Sequence, residues 1–126
     1  MRRTSRHGFT LVEVLTTVAI IALLAALILG LTGHAQKQAA RKKAESEIAQ
    51  LESFLGTYRA QYGQVPQTKG AFSAALAEAN HPLADLADPW GNPYEYQASS
   101  PATYYLWSTG GAAVLDPTLA IGHPPP

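Results

Sequence analysis

Glu13 is the residue whose chemistry fits its surroundings least. It lies near the start of an almost unbroken apolar stretch, RHGFTLVEVLTTVAIIALLAALILGLTG, at residues 6–33. Between Phe9 and Leu31 this stretch has 23 residues, with one charge and three threonines. A charged side chain at the centre of a membrane span costs about 2.5–3.5 kcal/mol on insertion scales. A carboxylate at this place therefore needs a partner or a function.

Catalytic chemistry is not indicated elsewhere in the chain. The sequence has no cysteine, which excludes disulfides and thiolate chemistry. It shows no phosphate-binding glycine loop and no recognisable Ser/His/Asp arrangement. The histidines are not spaced as metal ligands; they are His7, His34, His81 and His123. We therefore expect no enzyme and no catalytic residues.

Charge and length narrow the class of protein further. The chain has 126 residues, which is enough for one small domain. Its formal net charge is zero. Basic residues cluster before the apolar stretch and directly after it, whereas from Glu45 onward only Arg59 and Lys69 face eight acidic residues. This acidic part offers no basic surface for nucleic acid.

The apolar stretch is long enough to span a membrane. At about 1.5 Å per residue, its 23 residues can cross a hydrocarbon core about 30 Å thick. A cleaved secretory signal is the alternative, but its apolar region is normally about 7–15 residues, followed by a small-residue cleavage site. The two flanks carry similar numbers of Lys and Arg, so charge does not decide the orientation.

Helical periodicity continues beyond this span. Apolar residues recur at steps of four and three, which predicts one helix from about residue 9 to about residue 62. Its apolar face has Ala44, Ile48, Leu51, Leu55, Tyr58 and Tyr62, and its polar face has Lys43, Glu47, Gln50 and Arg59. Gly30 and Gly33 weaken the helix locally, either as tolerated residues or as a place where it bends or melts during assembly.

The remaining half predicts a short helix and a small sheet. Gly63 and Pro66 end the long helix, and residues 70–80 favour a second one. The runs YEYQA and TYYLWST predict two strands joined by a loop at residues 99–102. Residues 112–115 are a weak candidate for a third strand, and we expect the tail, residues 121–126, to be extended or disordered. The sheet should pack on Leu51, Leu55, Tyr58 and Tyr62.

The N-terminal residues resemble a known family. The run RRTSRHGFTLVEVL is similar to the start of type IV prepilins and type II secretion pseudopilins. The resemblance implies a basic leader at residues 1–8, cut after Gly8 by a membrane aspartyl peptidase that methylates the new amine of Phe9. It also implies that Phe9 and Glu13 direct filament assembly.

This processing would explain Glu13. Cleavage places a cationic amine on Phe9, and residues i and i+4 of a helix are neighbours. Between staggered subunits, Glu13 of an incoming chain could meet the Phe9 amine of its neighbour. Desolvation opposes this attraction, so its main effect would be to penalise any stagger that leaves Glu13 unpaired. The alternative is a lone carboxylate near the lipid headgroups.

The second half resembles the G-type major pseudopilin of type II secretion. The run DPWGNPYEY, after YGQVPQTKGAFSAAL, carries this likeness, which covers about residues 7–111. It implies an α+β, type IV pilin-like fold with a leader (1–8), a transmembrane and assembly half-helix (9–33) and a periplasmic domain (34–126). It further implies a subunit of a periplasmic filament, anchored in the inner membrane before assembly, that drives export of folded proteins.

The same resemblance implies the partners. They are other copies of the chain, the prepilin peptidase, minor pseudopilins, the inner-membrane assembly platform and the lipid bilayer, with no nucleic acid. Two other functions within the pilin class remain open for this chain. One is a type IV pilin that builds surface fibres, although the missing cysteine argues against its usual disulfide loop. The other is a competence-type minor pilin for adhesion or DNA uptake, which the acidic domain argues against.

A proline- and glycine-rich turn is the main candidate structural site of the second half. Its prolines fix φ and its glycine tolerates a positive φ. We expect a structural turn with a buried indole, and a role in substrate binding is the alternative. The residues are Asp88, Pro89, Trp90, Gly91, Asn92 and Pro93.

The sequence departs from the family in its last segment. Major pseudopilins usually end in an acidic, glycine-rich loop that binds calcium. A hard cation takes six to eight oxygen ligands, several of them carboxylates. Here WSTGGAAVLDPTLAIGH offers one carboxylate, Asp116, with Ser108, Thr109 and main-chain carbonyls. We therefore expect no bound calcium and no other cofactor, and we expect Leu115, Leu119 or Ile121 to support the loop instead.

Overall fold

The computed structural model describes residues 8–126. It has two helices, α1 (Leu11–Tyr62) and α2 (Lys69–Glu78), followed by three strands, β1 (Glu95–Ala98), β2 (Tyr104–Ser108) and β3 (Ile121–His123). The predicted α+β class and pilin-like arrangement are confirmed. The chain divides into two compact units at residues 37 and 38, and each is described by itself.

The first unit contains the apolar part of α1. This helix is long and apolar enough to cross a membrane. The Thr10 hydroxyl accepts a hydrogen bond from the Glu13 main-chain nitrogen at 3.1 Å, which satisfies one free donor at the helix start. Thr16, Thr17 and Thr32 donate to main-chain carbonyls one turn earlier. Their hydroxyls are thus paired within the helix, and the same bonds would satisfy them in hydrocarbon.

The second unit is built on the amphipathic part of α1. Gly63, at φ +77°, ends this helix, and its nitrogen donates to the Arg59 carbonyl. Thr68 caps α2 by accepting from the Ala71 nitrogen at 3.0 Å. The core joins one face of α1 to α2 and the sheet; its buried residues include Ala44, Ile48, Leu51, Leu55, Phe72, Leu76, Tyr96, Leu106 and Ile121.

The sheet is antiparallel, with the order β1-β2-β3. Its first two strands lie where the sequence predicts them. The predicted third strand at residues 112–115 is wrong, because these residues form bends and irregular backbone and β3 is formed by Ile121–His123 instead. Gly110 and Gly111, both at positive φ, turn the chain away after β2. Ile121 then returns as the buried apolar residue that pairs with Ser108.

Two predictions about the face of α1 are also wrong. Tyr62 is 59% exposed and its ring stacks near that of Tyr58, with centroids 4.4 Å apart, rather than packing on the sheet. The helical pattern places Glu47 on the polar face, but the structure buries it. It lies three residues after Ala44 and directly before Ile48, at the edge of the apolar stripe, and its carboxylate meets the hydroxyl of the buried Tyr94.

Candidate functional site

The N-terminal assembly motif lies at the start of α1. Gly8, Phe9 and Thr10 precede the helix, and Glu13 is in its first turn. The Phe9 side chain is 83% exposed and lines a shallow pocket with Val14, Thr17 and Val18. A carboxylate in the first turn interacts favourably with the helix dipole.

Glu13 has no protein cation beside it among residues 8–126. Its side chain is exposed at the helix surface. The rest of the leader, residues 1–7 with His7, lies outside the described residues. The Glu13 carboxylate is therefore accessible at the helix surface.

Gly30 and Gly33, the predicted points of flexibility, both lie inside α1. The helix continues through them, and a Cβ built on either would meet nothing within 4 Å. Close packing within the chain therefore does not explain these glycines.

The predicted turn at residues 88–93 is organised by the Asp88 carboxylate, which is 5% exposed. Its Oδ1 accepts from the main-chain nitrogens of Trp90 and Asn92, at 3.1 and 2.7 Å. Gly91 adopts φ +82° inside the turn, and Pro93 bridges to Ala87. The turn is thus a local structure held by one buried carboxylate.

Ser108 connects this turn to the sheet, a role that the sequence pattern does not predict. Its hydroxyl donates to Asp88 Oδ2 at 2.7 Å and accepts from the Gly110 nitrogen at 3.1 Å. Trp90 is half-buried rather than buried, and its ring lies against Gly111, where an added Cβ would come within 2.9 Å of it. The turn therefore supports the loop that follows β2.

A second buried polar pair links α1 to the strand region. The Tyr94 hydroxyl donates to Glu47 Oε2 at 2.5 Å, and Lys43 Nζ lies 3.7 Å from Glu47 Oε1. Burial, more than the hydrogen bond to Glu47, raises the pKa of Tyr94. Burial likewise raises the pKa of Tyr96 to about 12. The only sequence signal for this pair was the position of Glu47 at the edge of the apolar stripe.

The loop after β2 does not offer the ligands that calcium needs. Asp116 Oδ1 accepts from both the nitrogen and the hydroxyl of Thr118, at 2.9 and 2.7 Å. These two bonds lower the pKa of Asp116, the hydroxyl bond more than the other. Ser108 is committed to Asp88, and Thr109 Oγ1 is a buried, neutral oxygen with no hydrogen-bond partner. One carboxylate engaged in a local turn does not fit a calcium site.

No group of three or more His, Asp or Glu side chains within residues 8–126 is arranged to hold a metal ion. His81 instead accepts at Nδ1 from the Leu83 nitrogen, and His123 lies 3.4 Å from Glu52. In the described part of the chain, these histidines act in local structure.

Comparisons with known proteins identify the family. The model of the type II secretion system protein G family matches residues 32–114, and that of the prokaryotic N-terminal methylation motif matches residues 3–29. No solved structure gives a significant match.

Several curated relatives are named type II secretion system core protein G. The one from Klebsiella michiganensis is 33% identical over 82% of this chain and 80% of its own length. The one from Escherichia coli K12 is 37% identical over 75% and 74%, and that from Pseudomonas aeruginosa is 30% identical over 87% of both chains. The chain belongs to the type II secretion system protein G family, and it is therefore a pseudopilin, a structural subunit of that system.

Proposed function

We propose that this pseudopilin is cut between Gly8 and Phe9, methylated on the Phe9 amine and assembled through α1 into a periplasmic filament that drives export of folded proteins. The observation that carries the proposal is the exposed apolar surface of α1, most of which lies within the segment that matches the methylation motif. Such a surface is stable in lipid or against other apolar helices, but not in water.

The proposal gives α1 two successive environments. Before assembly its apolar part lies in the inner membrane, with residues 34–126 in the periplasm. When a subunit leaves the membrane, neighbouring copies must cover the same surface, which favours a homopolymer. The prepilin peptidase, an assembly platform in the membrane and minor pseudopilins are the partners that this route requires.

Glu13 and Phe9 would set the register of that polymer. A carboxylate among apolar helices is penalised unless a cation meets it. Cleavage supplies a cation in the form of the Phe9 amine. A stagger that brings this amine to Glu13 of a neighbour satisfies both groups, and other staggers leave a charge unpaired.

The two alternative functions, a surface-fibre pilin and a competence-type minor pilin, have less support. The curated relatives that this chain matches over most of their lengths are named type II secretion system core protein G. No observation on the described residues favours a surface fibre or DNA capture.

The first test is the N-terminal residue and intact mass of the protein taken from membranes that have, or lack, the prepilin peptidase. We expect Phe9 with one added methyl group when the peptidase is present, and Met1 when it is absent. Gly8→Val should keep the leader in place, whereas Thr10→Ser is a control that should be processed normally. A chain that still begins at Met1 beside an active peptidase would overturn the proposal.

A further inference from the structure

The C-terminal segment, residues 109–123, is fastened at its end by a strand. In β3, Ile121 pairs with Ser108 and is buried in the core at 5% exposure. Gly122, at φ +98°, lies so close to β2 and α1 that an added Cβ would be 2.5 Å from the Leu106 carbonyl oxygen and 3.0 Å from Ile48 Cδ1. This contact leaves no room for a side chain and fixes the end of the segment.

The two sides of the loop also touch each other. A Cβ added to Gly110 would lie 2.0 Å from the Leu119 carbonyl oxygen. Gly110 is at φ +68°, a conformation that glycine adopts readily. The loop between residues 110 and 119 is thus closed by direct main-chain contact.

A fixed cation of the protein lies at this closure. Arg41 Nη1, from α1, donates to the Leu119 carbonyl oxygen at 3.1 Å. The guanidinium stays charged at any ordinary pH, so it would repel a metal cation placed at the same carbonyl. Asp116 lies in the same turn as Leu119, and its Oδ1 accepts from the nitrogen and the hydroxyl of Thr118.

We propose that Arg41 and β3 together fasten the C-terminal loop in the place of a bound cation, so that this pseudopilin folds and stays folded without calcium. A bound calcium ion would stabilise the loop by joining carboxylates across it. Here the guanidinium joins α1 to the loop, and burial of Ile121 supplies apolar contact. The inference does not depend on cleavage, methylation or filament formation.

The test measures thermal unfolding of the full chain in detergent micelles, followed by circular dichroism, with a chelator or with added calcium. A site with a dissociation constant of about 0.1 mM would raise Tm by more than about 10 °C at about 10 mM calcium. We expect the same Tm in both conditions, and less than one calcium ion per chain by metal analysis. A chelator-sensitive Tm or stoichiometric calcium would overturn the proposal.

A matched pair of variants tests the role of Arg41. Arg41→Ala should lower Tm and speed proteolysis within residues 109–120, and calcium should restore neither. Lys42→Ala, next to it on α1, removes an exposed residue that pairs with Glu45 at 3.1 Å, and should leave both unchanged. Equal behaviour of the two variants would refute the role of Arg41.

The variant Thr109→Val tests whether a cation binds to the buried hydroxyl of Thr109. Because Thr109 Oγ1 has no hydrogen-bond partner, its replacement by a methyl group should leave Tm the same or raise it. The opposite outcome has three parts: calcium raises the Tm of the wild type, Thr109→Val has a lower Tm, and calcium no longer raises the Tm of this variant. That outcome would assign the Thr109 hydroxyl to a cation and overturn the proposal.

Discussion

At the scale of single residues, Glu47 and Glu13 both lie where a charge is costly, but their surroundings differ. Glu47 is paired inside the domain with Tyr94 and Lys43. Glu13 lies on an exposed apolar helix without a protein cation nearby in residues 8–126. The first is a structural group, and the second depends on what surrounds α1.

Glu13→Gln should leave the protein processed and folded but reduce filaments recovered from cells about tenfold. An amide cannot form the ion pair, and a loss of about 1.4 kcal/mol per contact lowers association about tenfold. Immunoblots of sheared filaments and of membranes measure the two pools. Thr17→Ala is the control, because it removes only a hydroxyl bond to the Glu13 carbonyl and keeps the charge. Normal filament yield from Glu13→Gln would argue against the register role.

Tyr94→Phe should lower the free energy of unfolding by about 1.5–3 kcal/mol, because it removes a hydrogen bond to a buried carboxylate. Denaturant unfolding at neutral pH measures this change. Tyr62→Phe is the control, since that side chain is largely exposed, and should be near neutral. Equal stabilities of the two variants would show that the bond to Glu47 contributes nothing.

Tyr94→Phe should also change how the stability of the protein depends on pH. The pKa of Tyr94 is raised from 10.0, and that of Tyr96 is raised to about 12, so the folded state keeps protons that the unfolded chain releases near pH 10. Their stabilisation is complete below pH 10 and is lost as the pH rises through the folded-state values. Tyr94→Phe should therefore show a shallower fall in stability above pH 10 than the wild type.

At the scale of elements, the turn at residues 88–93 and the end of β2 form one unit around Asp88. This carboxylate accepts from Trp90, Asn92 and Ser108, and Ser108 in turn accepts from Gly110. The turn is therefore more than a local reversal, because it positions the start of the C-terminal loop.

Asp88→Ala should destabilise the domain by roughly 2–4 kcal/mol, because it leaves buried donors unpaired. Asp88→Asn, which keeps an acceptor, should cost less. Asp85→Ala removes an exposed carboxylate with one long bond to Ala87, at 3.4 Å, and should have little effect. Unfolding curves of the three variants decide the matter; similar costs for Asp88→Ala and Asp85→Ala would contradict this account of the turn.

At the scale of the whole molecule, α1 is shared by two compact units, and Gly30 and Gly33 lie in its apolar part. Neither glycine is required by packing within the chain, because both Cβ positions are open. Each costs about 1 kcal/mol of helix stability relative to alanine. We therefore propose that Gly30 and Gly33 let α1 bend or melt locally during assembly.

The double variant Gly30→Ala/Gly33→Ala should therefore slow export of a secreted protein while leaving processing and membrane insertion intact. Gly56→Ala is the matched control, a glycine of the same helix whose Cβ position is also open, in the second unit. Pulse-chase secretion measures the rate. Unchanged export in the double variant would mean that α1 need not bend or melt at these residues.

Much of this protein follows from local pattern. The apolar run predicts the membrane-spanning length, the steps of three and four predict the long helix, and the aromatic runs predict β1 and β2. These signals are strong because periodicity and residue type act through near neighbours. The methylation motif likewise lies in a short continuous stretch.

Other features depend on contacts between residues far apart in the chain. The third strand is Ile121–His123 because Ile121 fills the core beside β2, whereas residues 113–115 are exposed and have no such site. Glu47 is buried because Tyr94, 47 residues later, supplies a donor, and Ser108 acts because Asp88 lies beside it. Sequence alone determined the helix, its apolar length and the motif, whose energetics are local; tertiary structure decided which polar groups are buried, since burial depends on the partners that folding brings together.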